Sequence, residues 1–207
     1  MADKNNVFYH ILHVFTSFFL LNLLWFLCCL PVVTIFPATA AMFGTARVWI
    51  KSGIDTGVVK VFFSEFRMNV KKSMILGILW TAGFLVLYMN YSIMLQSDFA
   101  LSKLLLILLI FVSLLFCFIT LYSFFLLVNY ELSIIHIIKN SLLLALSQMN
   151  YTLLFFGMIL LTIMIVYYIP FLLIVSGSLL SFSMYGLFQR LSARIEQERS
   201  KLQPNIT

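Results

Sequence analysis

Charge is what this sequence has least of: 13 basic and 7 acidic residues stand among 207, while 63% of the chain is hydrophobic. A water-soluble domain is nearer one-quarter charged and half apolar, so composition points to a membrane protein of one compact bundle. Cysteine is scarce as well. Cys28, Cys29 and Cys117 all lie in apolar runs and show neither metal-site nor disulfide spacing, so they read as small packing residues. His10, His13 and His136 have no carboxylate or second ligand at metal spacing. The sequence also lacks a Walker A run, a G-x-S-x-G elbow and an H-E-x-x-H pair. Its loops are too short for a soluble catalytic domain, so neither an enzyme nor a cofactor is expected.

The charges that are present fall in four intervals, 3–4, 47–103, 131–139 and 190–201. Uncharged runs cover 5–46, 73–97, 104–130 and 140–189. Because an apolar helix crosses the hydrocarbon core in about 20 residues, we expect spans over about 8–35, 73–95, 104–128, 151–174 and 176–189. "SGS" at 176–178 is read as the turn between the last two, with Pro170 as a kink or early end. None of these spans carries a buried ionic side chain of the kind used for proton relay or substrate pairing. The net charge of +6 borders the membrane segments, which argues for lipid surfaces and against nucleic acid.

Lys and Arg set the orientation. Arg47, Lys51, Lys60, Arg67, Lys71 and Lys72 form a basic rim, and Arg190, Arg194, Arg199 and Lys201 load the tail 190–207. Both are expected in the cytoplasm, C-terminus included. The side of the N-terminus stays open, because it depends on whether residues 37–51 span, re-enter or lie in the interface. Two connecting segments have helical amphipathic periodicity. Lys60, Ser64, Arg67 and Lys71 recur on one side of 58–71, with Phe62, Phe63, Phe66 and Val70 on the other. Asn129, Ser133, His136 and Asn140 do the same over 129–148. Both are expected to be cytoplasmic interfacial helices.

The stretch "LPVVTIFPATAAMFG" at 30–44 interrupts the first apolar run with two prolines. Pro31 lacks an N–H, and Pro37 suits the first turn of a new helix. The expected outcome is helix, break, half-helix 37–51. Its small residues suit close helix contact. Asn22, Thr34, Pro37, Thr39 and Asn90 are the candidate ligand or packing residues. A ligand reading needs free N–H groups at the half-helix start to hold an anionic or hydroxyl-rich group. A packing reading has the hydroxyls satisfy an interrupted backbone.

"NLLWFLCCLPVVTIFPATAAMFG" resembles the YesL-type family of small bacterial membrane proteins. The likeness rests on Asn22–Trp25, Leu30–Ile35 and Pro37–Ala41, and departs at Phe36, where the family usually has Gly. The resemblance implies bacterial plasma-membrane residence and no established activity. It also implies an association with carbohydrate uptake, since family members tend to be encoded beside sugar-uptake ABC transporters. The expected function is therefore a non-catalytic accessory of such a system, with ABC-type permease subunits or a second copy as partner. The alternative is a small oligomeric transporter or channel, which requires Asn22, Thr34, Thr39 and Asn90 to converge.

Overall fold

A computed structural model describes residues 2–96 and 101–202; most of the link 97–103, with Asp98, and the tail 203–207 lie outside the described residues. Among those described there is no strand. Seven α-helices follow in order: α1 Ala2–Cys29, α2 Ile35–Ser52, α3 Val58–Leu95, α4 Ser102–Asn129, α5 Ile134–Ser147, α6 Met149–Tyr168 and α7 Leu173–Leu202. Six segments are long and apolar enough to cross a bilayer: 9–29, 32–52, 58–95, 102–129, 149–168 and 170–198. The five spans expected from the sequence leave open whether 37–51 spans, re-enters or lies in the interface; the expected half-helix is present as the 18-residue α2 and falls within one of these six segments.

The α1–α2 break sits where Pro31 denies the helix an N–H, so the first helix ends at Cys29 rather than near residue 35. A 3₁₀ turn, Val32–Thr34, bridges the gap. The Thr34 hydroxyl lies 2.5 Å from the Cys28 carbonyl and 2.6 Å from that of Pro31, which also accepts the Thr34 N–H at 2.8 Å, so the side chain helps to satisfy the interrupted backbone. Pro37 falls in the first turn of α2, where its missing N–H costs no helical bond.

Alpha-2 is the centre of the fold, packed against α1, α3, α4 and α7. Ala38, Ala40, Ala41, Thr45 and Ala46 are all fully buried. The slimness of this stretch lets four helices approach one axis. An aromatic layer closes over it from α4 and α7, with Phe125 and Phe188 stacked at 4.6 Å and Phe43 edge-on to Phe125 at 5.2 Å.

Alpha-3 differs most from expectation. The segment 58–71 is not a separate interfacial helix, because it continues without a break into the following span for 38 residues. At 1.5 Å per residue that is about 57 Å, against a hydrocarbon core of about 30 Å. One stripe, Val58, Phe62, Glu65, Asn69, Ser73, Leu76 and Trp80, is buried along it. The steps of three and four never falter, so nothing tells the helix to stop. Its first half pairs with α2, as Phe36 against Gly77 and Gly44 against Glu65 show. Farther along it pairs with α4, where the Trp80 indole donates to Thr120 and stacks on Phe116.

The later boundaries shift for local reasons. Alpha-4 runs on to Asn129; Tyr130 is extended and α5 starts only after Ser133, so the expected helix 129–148 covers 134–147. Alpha-5 lies along α4, burying Ile137, Ser141 and Ala145. The α6–α7 turn is made by Ile169 and Pro170, not by "SGS". Ser176, Gly177 and Ser178 instead lie within α7, where their small size admits α1. Asn22 Nδ2 donates to the Leu173 and Ile174 carbonyls at 2.8 and 2.9 Å, and the Ser178 hydroxyl donates to Phe18 O at 2.7 Å. Alpha-7 then carries the expected tail on as helix to Leu202.

A Cβ on Gly177 would come within 2.6 Å of Asn22 Oδ1. Asn22→Ala is expected to cost about 0.6–1.7 kcal/mol, the range for interhelical polar contacts in membranes. Gly177→Ala should cost more, about 1–3 kcal/mol for an overpacked contact. The double variant should regain part of that loss, a coupling read by equilibrium unfolding in mixed micelles.

Candidate functional site

The polar residues that come together lie where α2, α3, α4 and α7 meet; the sequence marks Arg47 among them as part of the basic rim and Asn129 as part of a polar helix face, but not Glu65, Asn69 or Tyr185. Glu65, 5% exposed, faces inward from α3. Arg47 reaches it from α2, Nη2 to Oε1 at 2.8 Å, while Nη1 donates to the carbonyl of Val128. That carbonyl is in the last turn of α4, where main-chain oxygens lack intrahelical partners and a cation is favoured. Asn69 serves the other carboxylate oxygen, with Nδ2 3.4 Å from Oε2 and 3.0 Å from the Glu65 carbonyl. From α7, the Tyr185 hydroxyl donates to Asn129 Oδ1 at 2.5 Å, and Asn129 Nδ2 returns to Phe125 O at 2.8 Å.

This knot requires a glycine. A Cβ on Gly44 would sit 2.3 Å from Glu65 Oε2 and 2.8 Å from Cδ. The last small residue of "PATAAMFG" therefore makes room for a carboxylate. Glu65 lies outside the expected span 73–95, in the segment 58–71 that was expected at the interface, and is buried there in the same continuous helix. Sequence periodicity carried the signal: Glu65 is in register with Phe62 and Asn69 and out of register with Lys60 and Arg67.

The sequence-predicted candidates do not gather. Asn22 is bound to α7. Thr39 accepts the Trp25 indole N–H at 3.2 Å, and Thr34 caps its own break. Pro37 is buried in α2. Asn90 is exposed and bonds Val86 O at 2.8 Å within its own helix. Two apolar clefts, about 690 and 750 Å³, lie between α1 and α6 with α7 as floor. Asn22 borders the second, but Oδ1 is turned onto Gly177. Of the basic rim, Arg47 is consumed by the knot, Lys72 is half-buried, and Lys51, Lys60, Arg67 and Lys71 are exposed. Among the described residues no group of three or more His, Cys, Asp or Glu is placed to hold a metal ion.

The knot's chemistry is structural: both carboxylate oxygens and the guanidinium are occupied by protein groups. Removing one partner of a buried pair typically costs about 3–5 kcal/mol, whereas an apolar replacement of both is often neutral. Glu65→Leu and Arg47→Leu are each expected to fall in that range. The double variant should cost less than either, and Gly44→Ala should destabilise by displacing Glu65. Equilibrium unfolding in mixed micelles reads all four.

Residues 18–91 match the family described as "Protein of unknown function, DUF624". The chain is 34% identical over 188 residues to uncharacterized protein YesL of Bacillus subtilis (strain 168), covering 87% of this chain and 88% of YesL. It is 30% identical over 180 residues to uncharacterized protein YteU of the same organism, covering 85% and 81%. No solved structure matches. With its break, small-residue helix and the Arg47–Glu65 pair all between residues 18 and 91, the chain belongs to the YesL-like family of unknown function.

Proposed function

We propose that this protein is a non-catalytic accessory of the bacterial plasma membrane, crossing it six times, that docks other membrane proteins through an arm formed by α3 and α4. One observation carries the reading. Residues 81–96 and 101–117 contain no buried residue, although both helices continue through them. Phe84, Met89, Leu104, Ile107 and Phe111 all point outward. The small-residue face of α2, the other surface suited to helix docking, is already filled by the chain's own helices. An arm of two apolar helices with no internal partner is a surface for the membrane helices of another protein. Family resemblance suggests the partner class, a carbohydrate-uptake permease.

In this reading six crossings return both termini to one side, and the excess of Lys and Arg in the rim and tail supports a cytoplasmic assignment for that side. The transporter alternative draws no support from the geometry, because Asn22, Thr34, Thr39 and Asn90 each bond a different partner and do not converge.

Two experiments test this. In a version lacking Cys28, Cys29 and Cys117, Val32→Cys should react with an impermeant maleimide in intact cells, whereas Thr56→Cys should react only after permeabilisation. A shielded Val32→Cys would return the count to five. Affinity purification in mild detergent should recover permease subunits. Phe84→Ala/Ile107→Ala/Phe111→Ala should lower that recovery roughly tenfold without changing thermal stability, because these side chains pack on nothing internal. Recovery of the chain alone as a stable homo-oligomer would instead favour the transporter.

A further inference from the structure

The same periodicity that turns Glu65 inward sorts the remaining charges of α3 outward. Lys60, Arg67 and Lys71 are exposed along its first four turns, and Lys51 at the end of α2 is exposed as well. None of the four makes an ion pair with a described residue. Interleaved with them are Val59, Phe63 and Met68, at 45%, 42% and 64% exposure. Val59, Lys60, Phe63, Ser64, Arg67 and Met68 line one shallow open depression. Glu65, the one acid on α3, is withdrawn to the Arg47 side.

We infer that this outer strip of α3 binds the headgroups of anionic phospholipids. Three features select that occupant. The charge is of one sign. The apolar side chains between the cations match the boundary between headgroups and acyl chains, where basic amphipathic helices settle. The strip is also the start of a helix that runs unbroken into an apolar segment of membrane-crossing length, so the cations are held rigidly at the bilayer edge. An acidic protein segment would account for the cations but not for the exposed Phe63 and Met68 between them.

The experiment uses the full chain in neutral detergent micelles, titrated with phosphatidylglycerol or phosphatidylcholine while thermal unfolding and retained lipid are followed, the latter by native mass spectrometry. Phosphatidylglycerol should raise the unfolding temperature and phosphatidylcholine should not. The increment should shrink at 1 M salt, where screening acts over about 3 Å. At about fivefold in affinity per surface cation, K60Q/R67Q/K71Q should weaken phosphatidylglycerol binding on the order of a hundredfold. K60R/K71R should keep it, and unchanged helicity by circular dichroism shows that the glutamine variant is folded. Phe63→Ser should weaken binding without changing its salt dependence. Equal binding by the glutamine variant, equal stabilisation by inorganic phosphate, or no preference for phosphatidylglycerol would each overturn the assignment.

Discussion

Two opposite charges meet where four helices cross, and the arrangement of those helices depends on that contact. An ion taken from water costs several kcal/mol even after relaxation, and the loss is offset only when geometry and hydrogen bonds are nearly complete. Here Glu65 Oε1 takes Arg47, Oε2 takes Asn69, and the spare guanidinium nitrogen closes a carbonyl at the end of α4. The contact tolerates no slippage. Advancing α3 by one residue turns Glu65 through about 100°, which would take its carboxylate away from Arg47 and leave the guanidinium without its counter-ion. The hydrophobic effect does not impose such a register between helices in a membrane, because acyl chains are as apolar as leucine; close packing and polar contacts have to do so. The polar knot supplies what the hydrophobic effect cannot.

From this contact the division of labour along the bundle follows. Alpha-2 must bring Arg47 beside Glu65, so it must be slim from Ala38 to Ala46 and must carry Gly44 where the carboxylate passes. A helix this slim is then surrounded by α1, α3, α4 and α7 and has no face left for a partner. Alpha-3, fixed to it over its first half, is much longer than α2 and overshoots it. Only α4 accompanies that overshoot, held by Trp80 on Phe116 and Thr120 and by Gly83 against Phe116. The free arm is thus the geometric remainder of pairing a 38-residue helix with an 18-residue one.

What could be read from the sequence was whatever hydropathy and backbone chemistry decide locally. The apolar segments, the break at Pro31 and the suitability of Pro37 for a new helix follow from missing N–H groups and residue spacing. What could not be read depends on a partner. "SGS" has the composition of a turn, yet Gly177 lies in a helix because Asn22 needs the space there, and the turn falls to Pro170. Glu65 was passed over because a charge near membrane segments is normally taken to face water. Only the nearness of Arg47, 18 positions earlier, reverses that. Lys60, Ser64, Arg67 and Lys71 did form one face, but the opposite side presses on protein rather than lipid. Amphipathic periodicity gives the angle of a face and says nothing of what covers it.

The buried pair also shapes the surface. On α3 between Val58 and Ser73 the sequence sets one acid, Glu65, among four bases, Lys60, Arg67, Lys71 and Lys72. Folding separates them, because the single acid is drawn to Arg47 and the lysines and Arg67 are left facing outward. Arg47, the one basic-rim residue that the knot consumes, is subtracted from the surface together with the acid. The outer strip therefore carries Lys60, Arg67 and Lys71 with no acid of α3 among them. Internal architecture and membrane-facing charge are two results of one contact, and a change at Glu65 would alter both.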